Sequence, residues 1–286
     1  MSRRDEILLC ATRDRIRTEQ GLELASLQPL PAPRESDLVI VPGMPYTATE
    51  HLDRKVVRWV RTAYDAGAHI ASVCTGSFVL GEAGLLDGRK CTTHWTRIEK
   101  LKQRFPRAQV FDDRLFVGDD RITTSAGIAS GIDMSLALIE KVDGPLAAAA
   151  VAREMVVYMR RDGTHGQQSV YLDYRTHLHP GVHRAQDAIV QNPAAKLTIE
   201  RLSEEAAMSP RNLTRTFRRA TGISIKQFTT RVRLELARTL LHDPASSIES
   251  IARRCGFATA RQLRRAFRDE FGESPREARY QPSFST

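Results

Sequence analysis

"SPRNLTRTFRRATGIS" (209–224) and "TARQLRRAFRDEFGES" (259–274) are one pattern written twice, 50 residues apart. Leu213 falls on Leu263, Arg215 on Arg265, Phe217 on Phe267, Arg218 on Arg268, Gly222 on Gly272 and Ser224 on Ser274. Just upstream, "TIERLSEEA" falls on "SIESIARRC" at an offset of 49, pairing Ile199 with Ile248 and Leu202 with Ile251. The turn between the two halves is therefore one residue longer in the second copy. Two copies are too few for a solenoid and suit a duplicated small unit.

Each copy reads as helix, tight turn, helix. Ile199, Leu202 and Ala206 recur at three and four residues and define one buried stripe. Ser209 then stands as N-cap with Pro210 at the first helical position. On the helix that follows, Leu213, Phe217 and Ala220 face inward, Arg211, Asn212, Thr214, Arg215 and Arg218 face outward, and Gly222 supplies the stop. In the second copy Ile248, Ile251 and Phe257 form the core and Thr259 caps. There Leu263, Phe267 and Phe271 point inward, while Arg261, Gln262, Arg264, Arg265 and Arg268 point out. The intervening "SIKQFTTRVRLELARTLLHD" reads as one continuous helix that fixes the separation. A helix-turn-helix presents its second helix to the major groove, where Arg forks to guanine and Asn or Gln pairs with adenine. Two such helices suit successive grooves on one face of a duplex, about 34 Å apart. The competing reading, a helical bundle with solvated arginine faces, does not account for two matched sets of caps, cores and outward arginines.

The charge agrees. Of the formal +9, the residues from Arg184 onward hold 19 Lys and Arg against 11 Asp and Glu, leaving 24 against 23 before them. A basic domain joined to a nearly neutral one places the polyanion contact in the former. The 286 residues suffice for two domains, and 41% hydrophobic with 27% charged residues is ordinary globular composition. No apolar run approaches membrane-spanning length, and the one near the N-terminus is too short for a signal peptide. Four separated cysteines, Cys10, Cys74, Cys91 and Cys255, with no CxxC pair, fit reduced thiols in a cytoplasm.

Residues 183–281 resemble the DNA-binding domain of the AraC/XylS family of bacterial transcription regulators, most closely in "SIESIARRCGFATARQLRRAFRDEFGESPREAR". The resemblance implies base-facing roles for Arg211, Thr214, Arg215, Arg261, Gln262, Arg264 and Arg265. It also places Cys255 in the core of the motif.

The front two-thirds alternate strand and helix. "EILLCA", "DLVIVPG" and "HIASVC" read as buried strands, "TATEHLDRKVVRWVRTAYDAG" as an amphipathic helix stopped by Gly67, and "RLFVGDDRITTSA" as a hairpin turning at Gly118–Asp120. "GIDMSLALIEKV" and "PLAAAAVAREMVVYM" read as helices. This order predicts a flavodoxin-like α/β domain over residues 1–160 with a mostly parallel sheet, its ligand site beyond the strands' carboxyl ends. A linker over 161–182 and an all-α domain with two helix-turn-helix units over 183–286 follow it.

Three strand ends carry the residues of a candidate effector pocket: Gly43, the run Cys74–Thr75–Gly76, and Ser125 with Gly127, with His94 the nearest histidine along the chain. A cysteine at a strand-to-helix corner has three uses. It fills space as a small apolar residue, lines a pocket, or acts as a nucleophile whose pKa the backbone N–H groups lower. "SVCTGSFVLGEAGLLDGRKCTTHW" and "TTSAGIASGIDMSLALIE" resemble the ThiJ/PfpI superfamily, related to class I glutamine amidotransferases. They are most similar to its isocyanide hydratase branch and to the sensor domains of GlxA-type AraC regulators. Superfamily enzymes use the elbow cysteine as nucleophile, and Cys74 occupies that position. Here Thr75 follows it rather than the His of many superfamily hydrolases. "EILLCATRDRIRTEQGLELAS" aligns with the family's second strand and hairpin, so the first strand, its helix and the acidic partner of the thiol have no counterpart.

The expectation is a DNA-binding transcription regulator without catalytic residues, metal or cofactor. Its partners are double-stranded promoter DNA, a small-molecule effector, a second copy in a homodimer and, for an activator, RNA polymerase. The alternatives are a cysteine-dependent hydratase or amidase with an appended DNA-binding domain, and a thiol redox sensor acting through Cys74. His177, His179 and His183 form an HxHxxxH in the linker, read as polar surface because no acidic or cysteine co-ligand lies near.

Overall fold

The structure is a computed structural model that describes residues 6–157, 161, 163, 166–167, 169–241, 243 and 245–279. They fall into two units, the first running to Gln167 and the second following it.

The first unit opens with a small antiparallel pair, β1 (Ile16–Arg17) and β2 (Glu23–Leu24). The central sheet is built from β3 (Leu38–Val41) and β4 (His69–Val73), with α1 (Arg54–Asp65) between them. After β4 come α2 (Ser77–Glu82), β5 (Lys90–Cys91), α3 (Ile98–Arg104) and β6 (Gln109–Val110). The hairpin β7 (Phe116–Asp119) and β8 (Ile122–Ser125) completes the sheet, and α4 (Ile128–Asp143) and α5 (Pro145–Glu154) follow it. Sheet order is β3-β4-β8-β7, parallel except for the β7–β8 hairpin, whose turn holds Asp120 at φ 56°. β5 and β6 pair in parallel apart from it. This is the α/β architecture the alternating pattern implies. Ile70, Phe78, Leu80, Leu86, Leu101 and Ile122 make the larger core, and Phe116, Met134 and Leu138 a second one under α4.

Two sequence expectations need correction. "EILLCA" is no strand: residues 6–9 are irregular and exposed, and only Cys10 forms a single bridge, to Gln28. The long amphipathic helix is also interrupted. A 3-10 turn covers Tyr46–His51, and α1 starts only after Asp53, whose carboxylate accepts the Lys55 N–H at 2.8 Å. A second N-cap inside an apolar-periodic run resets the helix, which periodicity alone does not reveal.

The second unit is all helical: α6 (Val170–Asp173), α7 (Pro180–Gln191), α8 (Ile199–Ala206), α9 (Pro210–Thr221), α10 (Ile225–Leu240), α11 (Ile248–Arg254), α12 (Ala260–Phe271) and α13 (Pro275–Arg279). It has two separate cores. Leu202, Leu213, Phe217, Phe228 and Val232 belong to the first, and Leu234, Leu241, Ile251, Cys255, Leu263 and Phe267 to the second. α10 gives its first half to one and its second half to the other. Arg233 on that helix donates to the Pro193 and Ala195 carbonyls at 2.7 and 3.0 Å, pinning the loop before α8.

The segment between the domains attaches on both sides. Arg161 donates to buried Asp133 on α4 from its backbone N–H (3.0 Å), Nε (3.0 Å) and a terminal guanidinium nitrogen (2.7 Å). The Gly163 carbonyl accepts the Leu115 N–H, and a Cβ at Gly163 would sit 2.4 Å from the Phe116 carbonyl. On the other side Tyr174 stacks edge-on against Phe228, and Arg175 forms an ion pair with Asp187 on α7.

Candidate nucleic-acid interface and ligand pocket

The two helix-turn-helix units are built as the repeat implies. Ser209 accepts the Asn212 N–H and Thr259 accepts the Gln262 N–H, so α9 and α12 start on matching caps. Both helices end at a left-handed glycine, Gly222 at φ 79° and Gly272 at φ 75°. Leu213, Phe217, Leu263 and Phe267 are fully buried. The opposite faces expose Arg211, Thr214, Arg215 and Arg218 on α9, and Arg261, Gln262, Arg264, Arg265 and Arg268 on α12, with Thr259 exposed at its cap. Asn212 is half-buried. Its carbonyl accepts from Arg215 and from the Thr216 hydroxyl, both at 3.2 Å, so it positions Arg215. The Gln262 carbonyl accepts the Ala258 N–H at 3.0 Å and closes the second turn. On the first helix-turn-helix Ile199, Pro210, Arg211, Thr214, Arg215 and Arg218 line an open groove, whose apolar floor and guanidinium rim suit sugar and phosphate.

The turns differ at one informative position. Ala207 and Gly256 are equivalent at the 49-residue offset, and both are left-handed, at φ 52° and 78°. Alanine tolerates the strain in the first turn. In the second a Cβ would stand 2.8 Å from both Cα and O of Ala194, so only glycine fits.

In the first unit β4 runs directly into Cys74, which takes φ 55°, a conformation strained for a residue with a side chain. The Cys74 carbonyl is held by the Thr93 and Ser77 hydroxyls at 2.9 and 3.0 Å. The thiol is half-buried. A Cβ at Gly43 would lie 3.2 Å from the Cys74 Cβ, so the loop after β3 passes directly over the elbow. Thr75 is buried and committed: its hydroxyl donates to the Met44 carbonyl at 2.6 Å and accepts the Met44 N–H at 2.8 Å. Gly76 is demanded by packing, since a Cβ there would meet the Val41 carbonyl at 2.4 Å. Ser125 is buried, with its hydroxyl directed to the Ser72 carbonyl at 3.2 Å. Gly127 starts α4 beside His94, whose Cδ2 would be 3.6 Å from an added Cβ. Burial first, then the Arg97 charge, lowers the His94 pKa.

Thus the structure brings Gly43 against Cys74 and His94 against Gly127, and places Thr75, Gly76 and Ser125 behind them as support. Among the described residues no hydrogen bond joins the Cys74 thiol to His94 or to a carboxylate. Sequence reasoning missed Thr92 and Thr93. Gln167 donates to the Thr92 hydroxyl and the Thr93 carbonyl, each at 3.0 Å, so the tail of the unit touches the residue that holds the elbow. Their signal was adjacency to His94 in "TTHW".

The three histidines of the HxHxxxH have structural work. His179 caps α7 through Nδ1, accepting the Val182 N–H; His177 accepts the His179 N–H; and His183 stacks edge-on with His177 at 4.4 Å while bonding its carbonyl. No metal-holding cluster occurs among the described residues. Nor is any described helix long and apolar enough to cross a membrane.

Comparison with known proteins matches this division. A helix-turn-helix domain model covers residues 202–281, and the DJ-1/PfpI family model covers residues 8–141. The chain thus joins a DJ-1/PfpI domain to an AraC-type helix-turn-helix domain. Among its relatives are the HTH-type transcriptional regulator ArgR of Pseudomonas aeruginosa, 32% identical over 76% of this chain and 65% of the relative, and the regulator GlxA of Rhizobium meliloti, 31% identical over 73% and 64%. The chain spans less than two thirds of the length of these relatives. The isonitrile hydratase of Pseudomonas putida is 36% identical, but over only 38% of this chain and 46% of its own.

Proposed function

We propose that this chain is a sequence-specific DNA-binding transcription regulator of the bacterial cytoplasm, working as a homodimer whose α/β unit senses a small metabolite and which is not itself an enzyme. The observation that carries the reading is the paired presentation of arginine faces on α9 and α12, each on its own core and joined through α10. In the bound state Arg211, Thr214 and Arg215, and Arg261, Gln262, Arg264 and Arg265, reach base edges. Arg218, Arg268 and the α12 cap Thr259 hold phosphates, while Asn212 keeps Arg215 in register. The effector enters over Cys74 between Gly43 and Gly127. Thr93 and Gln167 carry the change to the segment that leads to the second unit, shifting the population of DNA-competent dimers. An activator of this design also contacts RNA polymerase.

The test is mapping of bound sites across a genome, followed by titration of an enriched duplex with Arg215→Ala and Arg265→Ala. Each substitution should cost about 1–3 kcal/mol and relax sequence preference at one base pair. Binding indistinguishable from that to scrambled duplex, even at low salt, would overturn it. A second reading, hydratase-like chemistry, draws on the strained elbow at Cys74 and the hydratase likeness. Its mark is turnover of an isonitrile that Cys74→Ala abolishes while DNA binding persists.

A further inference from the structure

The two recognition helices are not electrostatic equals. α9 carries Arg211, Arg215, Arg218 and Arg219 and no acidic residue. α12 also carries four arginines, but adds Asp269 and Glu270 where the first copy has Arg219 and Ala220. Glu270 serves the fold, pairing with Arg231 of α10 at 2.9 Å. The other carboxylates near the reading face do not. Glu249, on α11, holds Arg264 at 3.1 Å, and Asp269 stands 3.9 Å from Arg265. In the first helix-turn-helix Glu200 is the equivalent of Glu249, and the position facing it is Thr214, so no such pair forms there.

Neither pair is placed for stability. Both are exposed, 55% and 59% for Arg264–Glu249 and 86% and 72% for Arg265–Asp269, where ion pairs contribute little. Asp269 lies in the last turns of α12, the wrong end of the helix dipole for an acid, and the Arg-before-Asp order at four residues is the poorer one. These carboxylates stand beside two of the four exposed guanidinium groups that α12 can offer to any phosphate, Arg264 and Arg265, and leave Arg261 and Arg268 to the side.

We propose that Glu249 and Asp269 are specificity-determining residues: they compete in cis for Arg264 and Arg265, so the second helix-turn-helix gains little from arbitrary DNA and engages fully only where base edges outbid the carboxylates. Sequence-independent anchoring then falls to α9. This rests on the DNA-binding reading above and assigns the two units different tasks within it. It is specificity by a built-in competitor.

The experiment uses the full chain, a 40-base-pair duplex of randomised sequence and a duplex enriched from a random pool, titrated at about 50–200 mM NaCl. The variants are Glu249→Gln, Asp269→Asn and the double change. Each freed phosphate contact steepens the log K against log salt slope by about 0.9, which at 0.1 M salt is about eightfold in affinity. The double variant should bind randomised DNA at least about tenfold more tightly, with a slope steeper by about one to two, and gain less on the enriched duplex. Adding Arg264→Gln and Arg265→Gln should cancel the gain. An unchanged slope with less than twofold change on randomised DNA refutes the proposal. So does an equal gain on both duplexes, or a gain that survives loss of the two arginines. If the unmodified chain binds neither duplex, the DNA-binding reading itself falls.

Discussion

The equivalent positions Ala207 and Gly256 allow a matched pair of substitutions whose energies separate backbone strain from steric conflict. An alanine in the left-handed region costs about 1–2 kcal/mol. Replacing it with glycine returns that amount but loosens the unfolded chain by about 0.4–1 kcal/mol. Ala207→Gly should therefore stabilise its unit by about 0.5–1 kcal/mol. Gly256→Ala incurs the same net strain in reverse. In addition, its new Cβ meets Cα and O of Ala194, both at 2.8 Å and both backbone, so a side-chain rotation cannot relieve it. Overpacking of that kind costs about 1–3 kcal/mol more, for a total of about 1.5–4 kcal/mol. Urea titration of the full chain followed by two probes reads the effect. Trp59 and Trp95, the only tryptophans, both lie in the first unit and report its unfolding, while far-UV circular dichroism includes the all-helical second unit. The circular dichroism transition should move in opposite directions for the two variants while the fluorescence transition stays in place. A Gly256→Ala loss below about 1 kcal/mol would show that strain alone accounts for it and that Ala194 yields freely.

Three further outcomes are expected. Burial holds the His69 pKa down to about 4, against 6.5 unfolded, so the neutral ring is the native form. Stability is then full above about pH 6.5 and is lost as pH falls towards 4, by about 2–3 kcal/mol; a tryptophan-fluorescence transition as acid-sensitive in His69→Gln as in the parent would contradict this. Burial also pushes the Cys91 and Cys255 thiols up to about 12 and 11. A disulfide reagent at pH 8 should therefore label Cys10 and Cys74 quickly and the other two only after unfolding, with Cys74→Ala removing one fast equivalent. Asp133→Ala deletes three hydrogen bonds from Arg161. Because that guanidinium is 31% exposed, the loss should be about 2–3 kcal/mol rather than the larger cost at a fully buried pair, read as an earlier fluorescence transition.

The second unit was legible because its signals are local. Ser209 with Pro210, Thr259, Gly222 and Gly272 each act within one turn of helix, and the repeat supplied each assignment twice. Strands β3, β4, β7 and β8 were legible from short apolar runs with turn residues after them. "EILLCA" misled because its propensity is that of a strand while no sheet edge claims it, and pairing is a long-range matter. The elbow was half legible. Cys74 and Gly43 stand out in sequence, but whether Thr75 faces a ligand or binds Met44 is decided 31 residues away. Asp133–Arg161 and Gln167–Thr93 join residues 28 and 74 apart, with no periodicity to announce them.

One helix, α10, serves both cores of the second unit, and its length is therefore a setting as much as a support. Each residue inserted in its middle would advance everything beyond it by about 1.5 Å and turn it by about 100°. One added residue would swing α12 out of line with α9. Four would nearly restore its bearing while lengthening its reach by about 6 Å, so tolerated changes in this stretch should come in whole turns.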